Sequence, residues 1–146
     1  TEMIAVLKEA GITVLLNETL NVEVNEKILR LAGVSDIWFD GDLAKTMADV
    51  KEEDTTILIA HNPDVVLEER SHLADVVIAA HTHGGQIRLP WIGTIAAIPT
   101  KLGRKYDEGW FDYEGIKLFI TSGLGEDGAR ARLFNPPEIV QMKIHF

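Results

Sequence analysis

The sequence predicts an α/β domain built on a parallel sheet, and three observations carry that expectation. Two short apolar runs, residues 56–60 and 75–80, have the uninterrupted hydrophobic pattern of strands covered on both faces. Between them His61-Asn62-Pro63-Asp64 opens a helical stretch, with Asn62 as N-cap and Pro63 at the first helical position. Each run leads into a histidine, so a strand–helix–strand unit leaves His61 and His81 at the carboxyl edge of the sheet, where ligand sites of open α/β folds lie.

At 146 residues the chain suits one domain, spanning 1–146, that buries a core without disulfides or a structural metal. It has no cysteine, so thiolate sites are excluded and any metal ligand must be His, Asp, Glu or Asn. The net charge of −9 argues against a nucleic-acid patch or non-specific attraction to anionic lipid. A small anionic substrate stays open, because bound metal ions reverse the field locally. Apolar stretches such as residues 91–99 fall short of the ~20 needed to span a bilayer, and no signal segment opens the chain. The expectation is a soluble chain, cytoplasmic or membrane-peripheral. It starts on Thr1 rather than methionine, which predicts that something precedes it.

In order along the chain, residues 2–10 place Met3, Ile4, Val6 and Leu7 at helical spacing, with Gly11 as C-terminal cap. Residues 12–16 read as a strand, Asn17-Glu18 as a turn, and residues 20–24 as a half-exposed antiparallel strand. Residues 28–34 suit a strand, although 29–31 fit a helix equally well. Asp42 caps a second helix over 43–50, and the acidic run Glu52-Glu53-Asp54 is a solvated turn. A helix is expected over 65–72. Beyond Gly85 the chain is loop-rich, with closing strands over 116–120 and 139–144.

The chemistry concentrates in His81-Thr82-His83-Gly84-Gly85. A lone histidine at a strand end is ordinarily structural, and His72 and His145 are read that way. A His-x-His pair differs, since it either sends both rings to one side or fans them toward adjacent ions. With His61 on the neighbouring strand, metal binding becomes the favoured reading, and imidazole suits manganese, iron, zinc or nickel. Gly84 and Gly85 permit a tight turn or let backbone approach a phosphate. Arg88 is a candidate for reaching a substrate phosphate, with a salt bridge on the loop as its plain alternative. Ile87, Leu89, Pro90, Trp91 and Ile92 form an apolar loop that either staples the core or meets an acyl chain or bilayer.

Ala60-His61-Asn62-Pro63-Asp64, Ala80-His81-Thr82-His83-Gly84-Gly85-Gln86-Ile87-Arg88-Leu89-Pro90, Leu102-Gly103-Arg104-Lys105-Tyr106 and Arg132-Leu133-Phe134-Asn135-Pro136-Pro137-Glu138-Ile139 together resemble the C-terminal half of a calcineurin-like metallophosphoesterase. The similarity is to the bacterial branch of predicted phosphodiesterases and UDP-diacylglucosamine pyrophosphatase-like enzymes. It implies the C-terminal half of a β-sandwich flanked by helices, and two divalent ions that activate water for attack on a phosphodiester or pyrophosphate. By motif position His61 and His81 would ligate one ion and His83 the other. The family's Asp-x-His, bridging Gly-Asp and Gly-Asn-His motifs do not occur in this sequence; Gly41-Asp42 follows where Gly-Asn-His should lie and does not substitute. Ala80 replaces the glycine usual before His-x-His.

The resemblance therefore implies a piece of an enzyme whose substrate is a phosphorylated small molecule or lipid-linked compound, with the piece alone nearly inactive. Trp91 is the candidate for membrane proximity, and an exposed apolar sheet edge offers a route to a homo-oligomer. The rival reading is a non-catalytic α/β scaffold or interaction module binding one metal or none. The Arg132 to Glu138 run is read as structural.

Overall fold

The computed structural model describes residues 2–128 and 130–145. The chain runs α1 (Glu2–Glu9), β1 (Glu18–Val24), β2 (Lys27–Gly33), α2 (Leu43–Thr46), β3 (Thr55–Ile59), β4 (Val76–Ala79), β5 (Arg88–Leu89), β6 (Gly93–Thr94), β7 (Gly109–Tyr113) and β8 (Ile116–Ile120). Six strands form one sheet in the order β1-β2-β3-β4-β8-β7, and β5 and β6 make a separate two-stranded hairpin. β2, β3, β4 and β8 are mutually parallel; β1 and β7 add antiparallel edges. The parallel centre is the predicted one, and both edges come from tight hairpins. Asn25-Glu26 joins β1 to β2 and Glu114-Gly115 joins β7 to β8, each pair with positive φ at both positions, as a two-residue type I′ turn requires.

The core lies on one face of this sheet. Ala32, Leu58, Val77, Leu118 and Ile120 are fully buried there, side by side through the parallel register, beneath Met47, Val65, Val66 and Tyr106. Residues that alternate with them point the other way, and that face is only partly covered: Leu20, Val24, Ile59 and Trp110 are exposed. The expectation that β3 and β4 are covered on both faces is thus corrected. An uninterrupted apolar run says that both faces avoid water, not that this chain alone shields both.

Further differences have local causes. Residues 12–16 and 139–144 have strand-like composition but join no ladder, and without a partner for backbone N–H and C=O an extended segment is not a strand. β7 falls in a stretch read as loop, because Gly109 and its aromatic neighbours obscured the alternation of exposed Trp110 with half-buried Phe111 and Tyr113. Asp42 does cap α2, its Oδ1 accepting the Lys45 N–H at 2.8 Å. The helix stops at Thr46, however, and the Met47 carbonyl accepts the Arg70 guanidinium at 2.8 Å.

In place of an α-helix over 65–72 there are two 3₁₀ segments, Pro63–Leu67 and Glu69–Leu73, broken at extended Glu68. Adjacent β-branched Val65 and Val66 disfavour α geometry, and the Ser71 hydroxyl takes the Val66 carbonyl at 2.9 Å. The predicted cap stands: Asn62 Oδ1 accepts the Asp64 N–H at 2.9 Å, with Pro63 following.

Leu118→Ala should lower unfolding free energy by about 2–5 kcal/mol, read from urea midpoints, because the side chain is fully buried between strands. Trp91→Ala, at a fully exposed side chain, should move the midpoint by no more than about 0.5 kcal/mol.

Candidate metal centre

Parallel pairing continues past the ends of β3 and β4. The Ala60 N–H donates to the Ile78 carbonyl at 3.0 Å, and the Ala80 N–H to the His61 carbonyl at 3.0 Å. His61 and His81, each two residues beyond its strand, are thereby brought together at the carboxyl edge. His61 Nε2 and His81 Nδ1 stand 2.9 Å apart, ring centroids 4.6 Å. The 2.9 Å separation is a hydrogen-bond distance between the rings, and it is close to the ~3.0 Å expected of two ligands about 90° apart on an ion with bonds of ~2.1 Å.

Trp38 meets the His81 ring edge-on at 4.9 Å, a contact no sequence signal announced. The pKa of His81 is lowered, chiefly by burial and next by the neighbouring His61, against the opposing pull of Asp36 and Asp64. Its Nε2 is buried without a hydrogen-bond partner. A largely neutral imidazole is the form that ligates a metal.

The following loop holds an unusual backbone. His81 (φ 69°), His83 (50°), Gly84 (57°), Gly85 (71°) and Gln86 (53°) are all left-handed. Thr82 pins the turn, its hydroxyl donating to the Asp107 carbonyl at 2.6 Å and accepting the Gly84 N–H at 3.3 Å. His83 does not join the His61–His81 pair. Its Nδ1 faces Gln86 Oε1 at 3.0 Å, and its carbonyl accepts Asn135 Nδ2 at 2.7 Å. Among the described residues no group of three or more His, Asp or Glu side chains converges as a metal site.

Gly84 and Gly85 are buried. A Cβ at Gly84 would strike Glu108 and Asn135, and one at Gly85 would strike Thr94. The space their missing side chains leave is filled by the protein itself. Of the two readings of Arg88, the loop salt bridge is what the structure contains: its guanidinium pairs with Asp107 at 2.6 Å and Glu108 at 3.1 Å. Burial raises the pKa of Glu108, opposed by Arg88 and reinforced by Asp107.

Arg132 donates to the carbonyls of Ser122 (2.8 Å), Gly123 (3.2 Å) and Gly125 (2.6 Å), and Glu138 accepts the Thr121 hydroxyl and the Ser122 N–H, both at 2.9 Å. Burial pushes the Glu138 pKa up, but these donors outweigh it and hold the carboxyl below its ordinary value. The Arg132 to Glu138 run is thus the structural brace expected of it.

Two clefts flank the histidine pair. One, of about 230 Å³, is lined by His81, His83, Gln86, Ile87, Ala97 and Asp127. The other, of about 390 Å³, runs from Leu15 and Gly33 past Ile59 to His61 and Ala80.

The carboxyl edge of this α/β sheet thus presents two paired imidazoles, His61 and His81. Comparison with curated proteins identifies the chain as a homologue of the metallophosphoesterases. It is 30% identical over 138 residues, 92% of this chain, to the uncharacterized metallophosphoesterase YkuE of Bacillus subtilis, and covers 47% of that protein. It is 30% identical to the phosphodiesterase YaeI of Escherichia coli over 94% of this chain and 49% of that one. Against the UDP-2,3-diacylglucosamine pyrophosphatase LpxG of Chlamydia trachomatis the identity is 29%, over 97% of this chain and 44% of the other. The chain thus spans less than half the length of these relatives. No family model matches it, and neither does any solved structure.

Gly85→Ala should destabilise the protein by about 1–3 kcal/mol, since it combines a left-handed φ with a methyl driven into Thr94; thermal unfolding against Gly125→Ala, where open space surrounds the Cβ, checks it.

Proposed function

We propose that the chain supplies the histidine ligands of a metal-dependent phosphoesterase that hydrolyses phosphodiester or pyrophosphate bonds, with the remaining ligands outside these 146 residues. The observation that carries this reading is the 2.9 Å approach of His61 Nε2 to His81 Nδ1 at adjacent strand ends. His61 and His81 hold one ion in this reading, and His83 the second. Manganese, iron, zinc and nickel all suit imidazole donors. Divalent ions, when bound, supply charge neutralisation at phosphoryl oxygens and lower the pKa of the attacking water. The chain's own part is to fix ring positions, keep the His81 imidazole neutral and wall the cleft. Gly84, Gly85 and Arg88, considered for substrate phosphate, we assign to framing that loop.

Further parts of the reading follow the same geometry. The cleft beside His61 is where other ligands enter, and the open apolar face of the sheet is where the second half of a sandwich packs. Trp91 and Ile92 project from the β5–β6 turn, exposed rather than stapled to the core, while Ile87 and Ala97 of the same excursion line the cleft holding His81 and His83. We place a lipid-linked substrate's acyl chain, or a bilayer, at that tip. Among the described residues no helix is long and apolar enough to cross a membrane. The second reading, a non-catalytic module binding one metal or none, is favoured by the absence of a three-ligand cluster among the described residues.

Manganese titration by calorimetry separates the two. Binding of two ions, lost in His81→Ala/His83→Ala, supports the enzyme reading, whereas binding of one ion or none by the full-length protein favours the module. The 146-residue chain alone should show little or no turnover of a chromogenic phosphodiester; robust manganese-dependent turnover that His81→Ala abolishes would refute the division of ligands. Vesicle binding should fall in Trp91→Ala, and unchanged binding removes the lipid contact.

A further inference from the structure

The reading of His83 as a ligand leaves open which of its nitrogens is offered. His83 Nδ1 lies 3.0 Å from Gln86 Oε1, and the side-chain amide of Gln86 is oriented by main chain rather than by the ring. Its Oε1 also accepts the Asp127 N–H at 2.5 Å, and its Nε2 donates to the carbonyls of Asp127 at 3.1 Å and Ala131 at 3.5 Å. Turning the amide over would set its NH₂ against a backbone N–H and its oxygen against two carbonyls. The acceptor end therefore faces His83, and the nitrogen facing an acceptor must carry the proton. That leaves the lone pair on Nε2.

The backbone reinforces the arrangement. The Gln86 N–H donates to the His83 carbonyl at 3.0 Å, which also accepts the Asn135 amide, and the Leu133 N–H donates to the Gln86 carbonyl at 2.9 Å. Left-handed φ at both His83 and Gln86 curls the two side chains onto one another. His83, Gln86 and Asp127 all line the same cleft.

We propose that Gln86 is a positioning residue: anchored by the backbone of Asp127 and Ala131, it holds His83 as the Nδ1–H tautomer and presents Nε2 to a divalent ion. The proposal rests on the metal reading above, and its first test needs no metal. In the full-length protein, metal-free and labelled with ¹⁵N-histidine, long-range ¹H–¹⁵N spectra should report His83 protonated at Nδ1. Gln86→Met should mix the tautomers and weaken manganese binding by about 10- to 100-fold, the usual cost of losing a ligand's hydrogen-bond partner. Gln86→Glu, which keeps an acceptor at Nδ1 but loses the amide's donations to carbonyls, should retain tautomer and affinity.

A residue that merely tethers residues 127–131 would be disturbed by both substitutions alike and would leave the tautomer unchanged. An Nε2–H tautomer in the unaltered protein overturns the proposal. So does a Gln86→Met protein with unchanged tautomer, or with unchanged manganese affinity. If the unaltered protein binds no manganese, or binds it equally after His83→Ala, the metal reading fails first and the proposal falls with it, a result visible without any Gln86 variant.

Discussion

The parallel pairing of β3 with β4 is the constraint on which the site depends. Parallel strands end at the same edge, and the backbone ladder runs on through Ala60 to Ile78 and Ala80 to His61 before the chains part. The two histidines meet because each sits two residues past its strand. Since side chains alternate, a one-residue slip in register would turn Leu58 or Val77 out of the core. Burial of those residues, with Leu118 and Ile120 alongside, therefore fixes the polar edge, although none of them lies in it. The same ladder extends to β8, whose neighbour Thr121 donates to the Ala79 carbonyl at 2.9 Å.

Beyond that edge the backbone is strained and the surroundings compensate. Each non-glycine residue held at left-handed φ costs on the order of 1 kcal/mol or more, and His81, His83 and Gln86 place three of them within one short stretch. The restraints come from distant segments: Asp107 through Thr82, Asn135 through the His83 carbonyl, and Leu133 through the backbone of Gln86 and Arg88. Arg132 gathers three carbonyls of the loop after β8 and so fixes where Asn135 can stand. Burying the Arg88, Asp107 and Glu108 charges together is tolerable because they are paired. Glu138 closes the brace with its pKa held low, so its contribution is present above the ordinary carboxylate pKa and is lost as pH falls through the depressed value.

Sequence patterns conveyed the parallel centre, the strand-end histidines and the caps at Asp42 and Asn62, because each depends on neighbouring residues or on a period of two. They failed where a partner decides. Residues 12–16 and 139–144 carry strand composition, yet among the described residues neither joins a ladder, which depends on a partner as well as on composition. The crossover after Asn62 reads as helix from spacing alone, while two adjacent valines and Ser71 turn it into 3₁₀ segments. Trp38 against His81 and Asn135 against His83 join positions 43 and 52 residues apart, and no local signal reports such contacts. Gln86 was visible only as the residue after two glycines, and its role needed the backbone of Asp127 to be placed.

The site is unequally finished on its two sides. Around His83 the loop is braced by Gln86, by Asn135 and by the Arg88 ion pairs. Around His61 there is instead a cleft bounded by Leu15, Gly33 and Ile59, and Ile59 belongs to the open apolar face of the sheet. In the proposed reading these are one feature. Whatever packs on Ile59 and its neighbours arrives directly beside His61, so apolar burial of order 25 cal/mol per Å² would carry the missing ligands into reach. Metal affinity and the stability of that packing are then linked quantities, because groups that bind the ion only when docked lend its binding free energy to the docking. In that reading the histidine edge is the half preorganised by β3, β4 and the left-handed loop.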